Sequence, residues 1–177
     1  MLIDIHIEPT KHREGFTAPP DDLTVATRSD LDNDTYQYER QAYWDKPDPK
    51  VPLPFYGFKE YFAVMRHGFN TGGDHLEWVK KNAPEILALR GRDKQFDHDF
   101  TVPQAIRTKV PEEYYSTTYI ADCAVEWLEA RRSNDKPFLL MVSFPDPHHP
   151  FTPPGKYWDM YKPEDMVVPA AYEADDW

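Results

Sequence analysis

The stretch that most constrains what this chain can fold into is an apolar run that stops at a fence of prolines. Residues 138–144 (Phe138, Leu139, Leu140, Met141, Val142, Ser143, Phe144) carry one polar side chain, and Pro145, Asp146, Pro147, His148, His149 and Pro150 follow directly. A run of this kind reads as a strand buried on both faces, as the central strands of parallel sheets are. Ligands of open α/β sheets sit beyond the carboxyl ends of the strands, which is where Asp146, His148 and His149 fall. Pro145, Pro147, Pro150, Pro153 and Pro154 each fix φ and restrict the residue before them, so the loop is stiff without a ladder to hold it. A stiff loop can hold an imidazole in place.

The segment feeding this run has the grammar of a layered α/β protein. A helix is expected from Pro111 to about Arg132: proline suits the first turn, Glu112 and Glu113 complement the positive end of the dipole, and Arg131 and Arg132 the negative end. Ile120, Ala124, Trp127 and Leu128 recur at helical spacing, which assigns them to the buried face, with Glu126, Glu129 and Arg132 outward. Four residues, 133–136, then link helix to apolar run. Upstream, residues 58–65 read as a second strand from their aromatic and β-branched content. The glycine-punctuated turn at 67–73 leads to a helix with Asp74 as N-cap, carrying Leu76, Val79, Ile86, Leu87 and Leu89, divided by Pro84 and stopped by Gly91.

The N-terminal part is less regular. Residues 2–7 alternate, with Ile3, Ile5 and Ile7 on one face and Asp4 and His6 on the other, a half-buried strand pattern. Residues 9–54 show no sustained period and are rich in proline, aspartate and threonine. A loop of that length is unusual in a compact domain, so short helices, for instance around 36–44, an excursion over an active-site face and a solvated connector are all open readings.

Composition excludes several function classes. The 177 residues are 40% hydrophobic and 15% aromatic, enough for one domain with a core, while 18 prolines against 7 glycines describe a loop-rich surface. The net charge of −11, with no lysine- or arginine-rich run, argues against nucleic acid and anionic membranes as partners. That acidity would suit a cationic substrate, and an ordinary solvated surface accounts for it equally. No segment is long and apolar enough for a membrane span and the N-terminus lacks the pattern of an export signal, which implies a cytoplasmic protein if Met1 is the true start. The single cysteine, Cys123, excludes an internal disulfide framework and a multi-cysteine zinc site.

Three readings of Asp146, His148 and His149 are open. One imidazole donates a proton or hydrogen bond to an anionic substrate, a role suited to a side chain that titrates near neutrality. Alternatively the cluster binds a transition metal, although adjacent histidines in an extended segment point in opposite directions. In the third reading the histidines only cap carbonyls of a structural loop. Tyr157, Trp158 and Tyr161 similarly either line a pocket or pack the loop onto the domain.

Three runs of residues carry a family resemblance: 115–122, beginning Tyr115-Ser116-Thr117-Thr118; Trp127-Leu128-Glu129; and 136–151, which contains Pro147-His148-His149-Pro150. Together with Pro153-Pro154, residues 157–161 and Pro163-Glu164-Asp165-Met166, they closely resemble the sulfatases of the arylsulfatase and choline-sulfatase-like branch, within the alkaline-phosphatase-like superfamily. Phe55-Tyr56-Gly57-Phe58 and Gly72-Gly73-Asp74-His75 with Trp78 extend the likeness upstream.

The resemblance implies an α/β/α sandwich around a mixed sheet, of which this chain is a part. It implies that residues 1–177 are an internal piece of one catalytic domain, with 1–54 as an irregular proline-rich excursion and 55–177 as sheet and helix core carrying the His-x-Pro loop. The implied reaction is hydrolysis of a small-molecule sulfate ester, or a related phosphate or phosphonate ester, with a formylglycine nucleophile made from a Cys/Ser-x-Pro-x-Arg motif and a divalent cation, usually calcium. His148 matches the family histidine that contacts the sulfate or the leaving oxygen, and His149 is its neighbour in substrate binding.

The remaining family parts have no counterpart here. Cys123 precedes Ala124-Val125-Glu126 and does not match the nucleophile motif; Asp21-Asp22 and Lys11-His12 do not match the metal and lysine motifs. No metal ligand is therefore assigned, and the isolated chain is expected to be inactive and poorly stable, since a parallel sheet without its other strands leaves edges exposed. A nonenzymatic anion-binding or accessory protein derived from the same fold is the alternative.

Overall fold

The computed structural model describes residues 2–4, 37–38, 41–46, 49–133, 136–169 and 172. Its sheet has three strands in the order β1 (Leu2–Asp4), β2 (Phe62–Met65) and β3 (Gly72–Gly73). Strand β1 runs parallel to β2, with Ile3 opposite Ala63, and β3 returns antiparallel, with Val64 opposite Gly73. The described part of the first expected strand is thus a strand. Residues 5–7 and most of the expected 1–54 excursion lie outside the described residues.

Strand β2 is where the core converges, because alternate side chains leave it on opposite faces. Val64 packs with Tyr119, Ile120 and Ala124 of helix α3 (Ser116–Glu129), joined by Phe62, Trp78 and Cys123. On the other face Ala63 and Met65 pack against Trp44 of the short helix α1 (Gln41–Trp44), which falls within the expected 36–44. A third cluster, Val79, Ala83, Ile86, Val110 and Tyr115, joins helix α2 (Asp74–Asn82) to the segment entering α3.

Pro84 does divide the second helical segment. Helix α2 ends at Asn82 and a 3-10 stretch covers Pro84–Leu89, as expected where proline removes a helical donor. Asp74, however, is not an N-cap. It is the first residue of α2, and its Oδ2 accepts a hydrogen bond from the backbone N of Ala63 at 2.6 Å, tying the helix to β2. Burial raises its pKa above the ordinary carboxyl value, with the Ala63 bond opposing. The tie is possible because Gly73 lies hard against β2: at φ +67°, a Cβ built there would sit 2.5 Å from the Ala63 carbonyl oxygen. Gly73→Ala is therefore expected to cost about 2 kcal/mol, lowering Tm by roughly 5 °C or more, from combined clash and left-handed strain. Gly57→Ala is the control. Its φ is +85° but nothing lies within 4 Å, and equal losses at the two positions in thermal unfolding would contradict this account.

Helix α3 starts later than the sequence suggests. A 3-10 turn, Glu112–Tyr114, precedes it, and the α-helix runs from Ser116 to Glu129. Ile120 and Ala124 are buried as expected, but Trp127 is half-buried and Leu128 exposed, because the α3 core contacts end near Ala124. The helix is tethered beyond that point by polar contacts. Trp127 Nε1 donates to Glu60 Oε2 at 2.9 Å, and Arg131 pairs with Glu60 while lying 3.6 Å from the centre of the Trp127 ring.

The apolar run at 138–144 departs most from expectation. Among the described residues it pairs with no strand, and Phe138, Leu139, Met141, Val142 and Phe144 are all exposed, Leu139 at 75%. A strand of this composition gains its burial from neighbours on both edges and faces. Here the ring packed on it is that of Trp127, 5.0 Å from Phe138. The partial α/β/α sandwich expected from the resemblance is accordingly seen only as the mixed three-stranded sheet with helices on both faces of β2.

Trp158 packs on two neighbouring rings. Its ring lies 5.1 Å from His98 and 5.5 Å from Phe100. Tyr157 donates from its hydroxyl to Glu112 at 2.8 Å. Among the described residues no helix is long and apolar enough to cross a membrane.

Candidate active site

The proline loop is tied down at both ends. Phe151 donates its backbone N–H to Gln104 O at 2.8 Å and accepts from Ile106 N at 3.0 Å, a parallel bridge that fixes the far end. Asp146 fixes the near end. Its Oδ1 accepts from the Tyr115 hydroxyl at 3.0 Å and its Oδ2 from Thr117 Oγ1 at 2.7 Å. A tyrosine hydroxyl has one proton, so with Asp146 as acceptor the 2.7 Å contact to Thr152 Oγ1 is a bond that Thr152 donates. Burial, then the neighbouring Asp146 charge, pushes the Tyr115 pKa upward, keeping the phenol a donor. The carboxylate of Asp146 meets the first turn of α3, where the helix dipole favours negative charge and no side chain caps the terminus.

Between these anchors the chain turns instead of extending. His148 N donates to Pro145 O at 3.0 Å, and the peptide bonds before Pro147 and Pro150 are cis. The expectation that His148 and His149 point in opposite directions is therefore corrected: an extended segment would separate the rings, but this turn stacks them at 4.4 Å and 28°. His148 is half-buried and His149 exposed. His148 Nδ1 lies 2.6 Å from the carbonyl oxygen of His149. A carbonyl only accepts, so Nδ1 carries the proton of this bond.

A third histidine joins them. The His67 ring stacks on His148, with centroids 3.8 Å apart and planes 12° from parallel, and it is buried. The sequence puts His67 only in a glycine-rich turn and gives no role to Tyr115, Thr117 or Thr152. The one available signal was the position of His67 just beyond a strand end.

His75 forms a separate buried network. Its Nε2 donates to the Tyr114 carbonyl at 3.0 Å, so in the neutral ring Nδ1 accepts from Thr71 Oγ1 at 3.1 Å. Arg90 closes the network by donating from Nε to Phe69 O at 3.1 Å and from its terminal nitrogen to the Thr71 carbonyl. Burial lowers the His75 pKa to about 4, and the charge of Arg90 adds to the drop against the Tyr114 bond.

The sulfatase family model matches residues 61–173, which span β2, α2, α3 and the histidine loop. The chain belongs to the sulfatase family. Among curated relatives it is 32% identical over 104 residues to the multifunctional alkaline phosphatase superfamily protein PehA of Trinickia caryophylli, covering 58% of this chain and 20% of that protein. It is 42% identical over 117 residues to the ulvan-active sulfatase of Formosa agariphila, covering 57% and 22%, and 41% identical over 58 residues to the arylsulfatase of Clostridium perfringens, covering 33% and 12%. The chain thus spans about a fifth or less of the length of these relatives. No solved structure matches it. As a sulfatase segment it belongs to an α/β, alkaline-phosphatase-like fold.

Sulfatases generally use a divalent cation and a formylglycine. The described residues do not fit either group. Among them no three His, Cys, Asp or Glu side chains converge on a point that could hold a metal ion. Cys123 sits within α3, half-buried and packed beside the Val64 cluster, with its thiol pKa raised chiefly by burial.

Proposed function

We propose that this chain is an internal part of a sulfatase catalytic domain whose complete form hydrolyses a small-molecule sulfate ester, or a related phosphate or phosphonate ester. His148 contacts the ester in this reading. The observation that carries it is the bond from His148 Nδ1 to the His149 carbonyl, made in a loop anchored at both ends. That bond engages Nδ1 and sets the place of the ring, and in this reading Nε2 is turned toward the ester. As the ester S–O bond breaks, charge grows on the departing oxygen, and the imidazolium form of His148, donating the proton from Nε2 and keeping the one on Nδ1, stabilises it more than the ground state. His149, exposed and stacked on His148, assists substrate binding. The Asp146 carboxylate holds the loop to the start of α3.

The remaining catalytic parts, formylglycine and a cation such as calcium, come from elsewhere in the complete domain, as do the strands that flank residues 138–144 in the sandwich. It follows that the purified 177-residue chain has no detectable turnover of 4-nitrophenyl sulfate. Turnover by this chain alone, abolished in His148→Ala, would contradict the assignment of the missing parts. The names of the relatives support aryl and polysaccharide sulfates as the substrate classes to assay first in the complete enzyme.

A further inference from the structure

Resting on the assignment of His148 to the ester, we propose that His67 is a positioning residue for the same reaction, its buried ring serving as the plate against which the His148 ring is set. A hydrogen bond at Nδ1 fixes one point of the His148 ring but lets its plane swing about that point. A parallel ring at 3.8 Å and 12° removes the swing, so bond and stack together define where Nε2 lies. His67 is itself held firmly, at 6% exposure, against a partner 81 positions away in sequence.

The backbone around His67 is shaped for this contact. Strand β2 ends at Met65, and the chain leaves it through Arg66 at φ +62° and Gly68 at φ +54°. The left-handed region is unfavourable for arginine, and such strain persists where surrounding contacts over-determine it. Gly68 lies against the histidine loop. A Cβ on Gly68 would lie 2.9 Å from Pro150 Cγ, 2.9 Å from Thr152 Oγ1 and 3.0 Å from Pro150 O, so the turn and the loop seat directly on one another. Thr152 in turn bonds Tyr115, which holds Asp146. The His67 turn, the histidine loop and the start of α3 thus form one connected unit.

The test uses the complete sulfatase that contains this segment, assayed on 4-nitrophenyl sulfate. His67→Ala is expected to lower kcat ~10- to 100-fold with KM changed less than about threefold, the effect of a displaced catalytic group rather than of lost binding. His67→Phe keeps a flat ring and is expected to restore kcat to within about threefold of the parent. In a His148→Ala background His67→Ala is expected to add nothing, since a plate with no ring to set has no function. If His67→Ala does not fold, His67→Leu against His67→Phe makes the same comparison, because both fill the space and only phenylalanine is flat. A normal kcat in His67→Ala, a kcat in His67→Phe as low as in the truncated variant, or full additivity with His148→Ala would each overturn the proposal. An enzyme crippled by His148→Ala but untouched at position 67 overturns this inference alone. One untouched by His148→Ala overturns the assignment of His148 and this inference with it.

Discussion

Between neutral pH and about pH 4 the chain is expected to lose about 3 kcal/mol of folding stability through a single side chain, His75. The ordinary imidazole value is 6.5, and burial among Thr71, Trp78, Tyr114 and Tyr119, with the Arg90 charge nearby, lowers it to about 4. Between those values the unfolded chain binds a proton that the native chain refuses, so stability rises with pH across that window. The contribution is complete above 6.5, falls as the pH drops and is fully lost at about 4, below which both states are protonated. Asp74 works in the opposite direction over its own window, since burial raises its folded value. His75→Gln separates the two: glutamine can donate to the Tyr114 carbonyl and accept from Thr71 without titrating. Urea unfolding of the 177-residue chain at about pH 7.5 and about pH 4 should therefore show a much smaller loss in His75→Gln than in the parent. Parallel losses in the two proteins would remove His75 as the cause.

Much of the fold can be read from local pattern where the pattern and its partner are close in sequence. The Pro84 break, the body of α3 and strand β2 follow from backbone rules and from side-chain spacing within a few residues. The readings that failed depend on partners far along the chain. Asp74 has the chemistry of a cap, and only the approach of β2 over Gly73 turns its carboxylate toward Ala63. Residues 138–144 have the composition of a central strand, but composition cannot supply neighbours, and among the described residues none pairs with them.

The candidate site divides in the same way. Asp146, His148 and His149 are legible because prolines mark the loop. The residues that hold it, Tyr115, Thr117, Thr152 and His67, lie 31, 29, 37 and 81 positions from their loop or α3 partners and share no period with them.

Replacing His148 by alanine in the complete sulfatase is expected to reduce kcat on 4-nitrophenyl sulfate by about 10²- to 10³-fold. The imidazole is held by its Nδ1 bond to the His149 carbonyl and by stacking on His67 and His149, which together set where its Nε2 lies. His149→Ala should lose far less, about threefold, because its ring is exposed and its carbonyl, which orients His148, survives the substitution. Stability should hardly change in either variant. The loop is anchored through Asp146, Phe151 and Thr152, none of which is touched. The decisive measurement is the kcat of purified, folded His148→Ala enzyme beside the parent: a loss of about 10²-fold or more is the predicted result, and a kcat within about threefold of the parent would contradict the account at its centre.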